Sequence, residues 1–165
     1  TEGALVVAAT KAGLDKKELE KARPRVHEIY FTSESKRMTT LHATSQGTVA
    51  YSKGAPEVIV ETCSRQFAEQ EESLLDMSAA EHLRESARTM AKDGLRVLAV
   101  AYKPDAQIDN AEHDMVFLGL VGMIDAPRAE VKSAVKTCEE AGIKPIMITG
   151  DHPVTAEAEI GRAHV

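Results

Sequence analysis

The sequence predicts an α+β domain over residues 1–124, an antiparallel sheet flanked by helices, followed over 125–165 by an incomplete α/β fragment of Rossmann type. Two observations predict this. Between residues 27 and 53, β-prone runs are joined by short turns, the pattern of an antiparallel hairpin. After Asp125 the pattern becomes helix, short apolar strand, glycine turn, helix, which is a piece of a parallel sheet.

Residues 2–12 read as a helix stopped by Gly13, and 14–23 as a second, charged helix ended by Pro24. Residues 27–31 and 37–44 read as strands. Ser45-Gln46-Gly47 is a turn, and 48–53 is the return strand. Pro56 suits the first turn of a helix running to about Cys63. Residues 65–77 are acidic and read as irregular. Ser78-Ala79-Ala80-Glu81 has the form of a capping box, and Leu83, Ala87, Met90 and Ala91 behind it share one helical face. Gly94 ends that helix. Residues 95–102 form an apolar strand with Arg96 near its start, 103–114 a polar loop, and 115–124 a buried strand. Residues 128–141 form an amphipathic helix, with Val131, Ala134, Val135 and Cys138 on one face. Residues 144–149 follow as a short apolar strand, and 154–163 as a last helix. A single parallel strand with one crossover cannot bury both its faces, so the chain is expected to be a piece of a longer one.

Composition narrows the function. Of 165 residues, 43% are hydrophobic, enough for a core, and 20 basic against 26 acidic residues give a net charge of −6. A nucleic-acid partner is not expected of so acidic a chain, nor is an aromatic stacking platform with aromatics at 4% and no Trp. The longest apolar run, Met115 to Ile124, falls short of the about 20 residues of a membrane span, so a soluble chain is expected. No signal peptide is visible at the start. Cys63 and Cys138 read as reduced thiols, and the six histidines show no metal-ligand spacing.

Several residues can carry chemistry, each with a plain structural alternative. Lys53-Gly54-Ala55-Pro56-Glu57 lies at a strand-to-helix junction: Gly54 permits close approach to the backbone, and Lys53 sets a cation beside it. It can equally be a loop with a solvated Lys. Phe31 at a strand end can stack on a base and Lys36 can meet a phosphate; alternatively Phe31 is core and Lys36 surface. Arg96 interrupts an apolar strand and must reach a ligand or snorkel to solvent. Glu2 opens an apolar helix and suits its dipole whatever else it does. Thr149-Gly150-Asp151 follows the apolar strand at its carboxyl end, where open α/β sheets hold ligands, and Asp125-Ala126-Pro127-Arg128 sets an acid and a base around a rigid Pro. Both can also be ordinary helix starts.

Taken in order, these segments resemble the cytoplasmic part of P-type cation-transporting ATPases over essentially the whole chain. Thr1-Glu2-Gly3-Ala4-Leu5 is similar to the tail of the family's Gly-Asp-Pro-Thr-Glu-x-Ala-Leu, and Phe31-Thr32-Ser33-x-x-Lys36-Arg37-Met38 to its adenine-binding segment. Lys53-Gly54-Ala55-Pro56-Glu57 resembles the family's most recognisable nucleotide-domain signature. Gly94-Leu95-Arg96-Val97-Leu98-Ala99 resembles a later strand. Asp125-Ala126-Pro127-Arg128 and Met147-Ile148-Thr149-Gly150-Asp151-His152 resemble the hinge and the start of the phosphorylation domain.

The resemblance implies an ATP-binding domain at 1–124 and, at 125–165, a hinge with part of a haloacid-dehalogenase-like phosphorylation domain. It implies that Glu2 accepts from the adenine amino group, Phe31 stacks on the ring, Lys36 binds near ring or phosphates, Lys53 and Gly54 line the adenine end, and Arg96 pairs with the β-phosphate. Thr149 and Gly150 would meet the γ-phosphate, Asp151 would orient the phosphorylation site, and Asp125 and Arg128 would belong to the hinge. The parent protein would be an integral membrane pump using ATP and Mg²⁺, with this part on its cytoplasmic side. Its partners would be ATP or ADP and the pump's actuator, phosphorylation and transmembrane domains. The segments resemble type II pumps, nearest to calcium pumps.

The chain departs from the pattern. The family's Asp-Lys-Thr-Gly-Thr, which carries the phosphorylated aspartate, is absent, as is the Gly-Asp-Gly-x-Asn-Asp segment that holds magnesium; Ala126 stands where Pro is frequent. The chain alone is therefore expected to bind nucleotide without turning it over. Two other readings compete: a haloacid-dehalogenase-like phosphatase, suggested by Thr149-Gly150-Asp151 but lacking a nucleophile, and a non-catalytic nucleotide-sensing module. The strand expected at 144–149 would have open edges, and it is expected to be mobile, to pack back on the nucleotide domain or to self-associate with another copy.

Overall fold

A computed structural model describes residues 2–68, 70–124, 130–148 and 160. It contains one seven-stranded sheet in the order β1-β2-β3-β6-β7-β4-β5. All neighbouring strands are antiparallel except β4 and β7, so the sheet is mixed rather than purely antiparallel.

Helix α1 (Glu2–Lys11) carries its acid in the first turn and its Lys in the last, which suits the helix dipole, yet it buries no residue. Gly13, at φ +83°, takes the left-handed turn after it. Helix α2 (Lys16–Ala22) is capped by the Asp15 carboxylate, which accepts from the Lys17 and Glu18 amides at 2.7 and 3.1 Å. Strand β1 (Arg25–Ile29) begins and ends two residues earlier than the sequence suggested. It pairs with β2 only as far as Ile29 opposite Thr39, which leaves Tyr30 and Phe31 beyond the ladder.

Strands β2 (Arg37–Thr44) and β3 (Gly47–Gly54) form the expected hairpin, with Gly47 at φ +125° in the turn. Helix α3 (Pro56–Thr62) starts at its proline and buries Ile59 and Val60.

The region read as irregular is a hairpin. Strand β4 (Cys63–Ala68) pairs in parallel with β7 and antiparallel with β5 (Glu71–Leu74). Its polar sequence hides the strand because cross-strand pairs hold it instead of apolar alternation. Arg65 meets Glu72 at 2.9 Å, and Glu72 also accepts from the Tyr102 hydroxyl.

Helix α4 (Met77–Lys92) starts before the expected capping box. Asp76 is the N-cap, accepting from the Ala79 amide at 2.7 Å, and Ser78 lies inside the first turn. Either residue type serves as a cap, so the choice is made where the β5 connection ends. Strands β6 (Arg96–Lys103) and β7 (Met115–Met123) follow, and α5 (Val131–Glu140) comes last.

Residues 144–148 form no strand, contrary to expectation. Ile146 and Ile148 are exposed there, and an apolar run without a neighbouring strand has nothing to bond its backbone. The helix expected over 154–163 lies, apart from Ile160, outside the described residues.

The larger core cluster joins Ile59 and Val60 of α3 to Ala99, Ala101, Met115 and Phe117 of β6 and β7, with Ala80 and Leu83 of α4 against it. A second joins Leu41 and Ala50, opposite one another in β2 and β3, to Ala106 and Ala111 of the loop before β7. The helices α3 and α4 are thus held by apolar burial on one side of the sheet.

Candidate functional site

A cleft opens where β3 leaves the sheet. The last β3–β6 pair is Gly54 opposite Ala99, whereas β6 itself begins at Arg96. Arg96, Val97 and Leu98 therefore have no β3 partner, and they line a cavity of about 790 Å³. That is within the range of small-molecule sites, roughly 300–1,000 Å³. Phe31, Lys36 and Met38 line it from the first hairpin. Gly54 to Glu57 line it from the β3–α3 junction, and Arg84, Ala87, Arg88 and Ala91 from α4.

All six residues singled out for the first unit line this cleft: Glu2, Phe31, Lys36, Lys53, Gly54 and Arg96. They come from α1, the β1–β2 connection, β3 and β6. Phe31 is 59% exposed, so it is not part of the core, and it lines the cleft. Lys53 is held by Glu2, whose Oε2 lies 2.5 Å from its Nζ.

Lys36 sits at φ +48°, a conformation few non-glycine residues adopt. The turn enforces it. Thr32 O accepts from the Lys36 amide at 2.9 Å, and Lys36 O accepts from the Ala55 amide at 3.0 Å. The second bond ties the β1–β2 turn to the β3–α3 junction, and so ties two parts of the cleft together.

Gly54 lines the cleft and also makes room within the fold. A Cβ there would lie 2.5 Å from Lys36 O and 2.7 Å from Arg37 Cβ. The close approach it permits is that of the chain's own hairpin, which brings Lys36 to the cleft.

The cleft's charge opposes that of the whole chain. Lys36, Lys53, Arg84, Arg88 and Arg96 stand against Glu2 and Glu57, in a protein of net charge −6. A basic apolar-walled cleft of this size suits an anion carrying a flat apolar ring system. The sequence reading missed Met38, Arg84 and Arg88. The signal for the arginines was present, since 84, 87, 88 and 91 are spaced as one helical stripe.

Arg37, next to Lys36, lines a second cavity of about 380 Å³ with Glu112. Arg37 Nη2 and Glu112 Oε2 are 2.8 Å apart. Thr39 Oγ1 lies 2.7 Å from Glu112 Oε1 and 2.9 Å from Ser52 Oγ, and both hydroxyl residues are fully buried. Burial pushes the Glu112 carboxyl up, but the bonds from Arg37 and Thr39 outweigh it and hold it below the usual carboxylate range. This buried network fixes the start of β2, on which Lys36 and Met38 depend.

Asp125, Arg128, Thr149, Gly150 and Asp151 lie outside the described residues, as does their relation to the cleft. Among the described residues no group of three His, Cys, Asp or Glu side chains could hold a metal ion, and no helix is long and apolar enough to cross a membrane.

The family profile described as P-type ATPase, cytoplasmic domain N, matches residues 1–130. The chain is 38% identical over 162 residues to calcium-transporting ATPase 1 of Bacillus cereus, and 40% identical over 165 residues to a calcium-transporting ATPase of Bacillus subtilis. Each alignment covers 96% of this chain and 18% of the relative. It is also 37% identical over 158 residues to the sodium/potassium-transporting ATPase subunit alpha-2 of Gallus gallus, covering 86% of this chain and 16% of that protein. The chain spans less than a fifth of the length of these relatives. With the profile matched from end to end of the sheet that builds the cleft, the chain belongs to the P-type ATPases, and its residues 1–130 to their cytoplasmic domain N.

Proposed function

We propose that the cleft binds ATP. The adenine ring lies against Phe31, with Glu2 accepting from its amino group, Lys53, Gly54 and Lys36 beside it, and the phosphates running toward Arg96. The observation that carries this reading is the convergence of these six residues on one basic cleft from four separate segments. Phe31 supplies a flat apolar face, Lys53 and Lys36 are cations within the cleft, and Arg96 lines it from the start of β6, beyond the last β3–β6 pair.

In the parent protein this domain would deliver the γ-phosphate to an aspartate outside this chain, and hydrolysis of the aspartyl phosphate would drive cation transport. The chain by itself would bind nucleotide without hydrolysing it, because no Asp-Lys-Thr-Gly-Thr segment is present. Thr149, Gly150 and Asp151 would face the γ-phosphate, with Asp125 and Arg128 at the hinge. Magnesium would bind with the nucleotide and the phosphorylation domain; the described residues hold no cluster of three His, Cys, Asp or Glu side chains fit for it. Calcium is the proposed cargo, on the strength of the bacterial relatives, with the avian relative naming sodium and potassium instead. The exposed Ile146 and Ile148 support a further partner surface near 143–148, either another domain of the pump or a second copy.

The test is a titration of the chain with ATP, ADP and AMP, followed by amide shift perturbation, repeated on Phe31→Ala and Lys53→Ala. Binding is expected to perturb amides around Phe31, Lys53 and Arg96, and both variants are expected to lose it. Absence of binding at millimolar nucleotide, or binding remote from these residues, overturns the reading.

A further inference from the structure

The α4 wall of the cleft has a chemistry of its own. Its cleft-facing residues are Arg84, Ala87, Arg88 and Ala91, at i, i+3, i+4 and i+7. The two alanines keep the wall low, so the arginine between them stands over open space. Arg88 is 56% exposed and its bound carboxylates come from its own helix: Nη1 lies 3.0 Å from Glu81 Oε1 and 3.0 Å from Glu85 Oε2. Both contacts use one nitrogen of the fork, and among the described residues Nη2 and Nε meet no other carboxylate. Arg84 differs: it is the more buried of the two, and its stem packs in the wall. Arg88 also lies one turn nearer than Arg84 to the α4–β6 connection, which leads directly to Arg96.

We infer that Arg88 is a further phosphate contact of the cleft and sets its preference for nucleotides with more than one phosphate. The inference rests on the nucleotide reading given above. A guanidinium fork meets two phosphate oxygens at once, which an ammonium cannot do. Arg88 on α4 and Arg96 at the start of β6 both line the cleft, and two guanidinium groups suit an extended anion with several charges better than a single phosphate. Glu81 and Glu85 hold Arg88 in place without occupying the whole fork, so little side-chain freedom is lost when a phosphate binds.

The experiment measures the affinity of adenosine, AMP and ATP for the chain, for Arg88→Gln and for Arg88→Lys, with the amide spectrum as the check on folding. Arg88→Gln is expected to weaken ATP about three- to tenfold, AMP less, and adenosine not at all, as for loss of one solvent-exposed charge-assisted contact. Arg88→Lys, which keeps the charge, is expected to recover part of the loss. If the parent chain binds ATP in the cleft and Arg88→Gln binds it equally well, the inference is overturned and the nucleotide reading stands. If Arg88→Gln weakens adenosine and ATP alike, Arg88 only shapes the wall, and the inference is again overturned. If the parent chain binds neither ligand in the cleft, the nucleotide reading fails and takes this inference with it.

Discussion

Glu2 and Lys53, 51 residues apart, close an ion pair of 2.5 Å that ties α1 to β3 at the cleft. Helix α1 buries no residue, unlike α3, whose Ile59 and Val60 sit in the main core, so this pair is a tie between α1 and the sheet. The Glu2 side chain is 69% exposed and Lys53 26%, and a pair so open to solvent is worth about 0.2–1 kcal/mol. Glu2→Gln is therefore expected to leave the unfolding midpoint nearly unchanged while amide exchange across residues 2–11 accelerates. Unchanged exchange there would mean that α1 is held by something else.

Gly54→Ala is expected to be costly. Its Cβ would fall 2.5 Å from Lys36 O, a backbone atom that cannot move without breaking the 3.0 Å bond to the Ala55 amide. Overpacking of this kind costs about 1–3 kcal/mol, readable as a lower denaturant midpoint. Lys36 and the cleft should be displaced with it, so any ligand affinity should fall together with stability. A variant as stable as the parent would show that the hairpin yields at this point.

Acid should weaken the fold through Glu112. Its carboxyl is held below the usual range in the folded chain, so its contribution is present above the unfolded value and is lost as pH falls through the folded one. Glu112→Gln is expected to flatten the pH dependence of the unfolding midpoint on the acid side. Disturbing this partly buried polar network costs about 1–3 kcal/mol at neutral pH, since Gln offers one acceptor oxygen where the carboxylate offers two, and its NH2 is set against the donors Arg37 and Thr39. An unchanged acid limb in Glu112→Gln would place the titrating group elsewhere.

Alkali should weaken it through Tyr102. The hydrogen bond to Glu72, with burial adding to it, pushes the phenol up to about 12. A raised value favours the protonated form, so its contribution is full below the ordinary tyrosine range and is lost as pH rises toward the folded value. Tyr102→Phe is expected to remove that alkaline dependence, followed as phenolate absorbance and unfolding midpoint together. If the dependence persists in the variant, Tyr102 is not its source.

The hairpin of β2 and β3 was legible because alternation and the Gly47 turn agree. Six cleft residues were also named in advance, since motif spacing marked Glu2, Phe31, Lys36, Lys53, Gly54 and Arg96 one segment at a time. The β4–β5 hairpin was not legible. Its residues are polar, and Arg65, Glu72 and Tyr102 form their contacts only once β7 offers β4 an edge. Arg88 was missed although 84, 87, 88 and 91 form one helical stripe, because an amphipathic helix reads the same whether its polar stripe meets solvent or a cavity.

What the sequence by itself determined is local: where helices start and stop, the β2–β3 turn, and the residue types able to meet a nucleotide. The tertiary structure alone decided that β3 stops pairing three residues short of the start of β6, that Gly54 makes room for the Lys36 carbonyl at the cleft, and that α4 turns Arg84 and Arg88 toward the gap. The reason is physical. Turns and caps are set by neighbours in the chain, whereas a cleft is defined by the pairing register and packing of segments far apart in it.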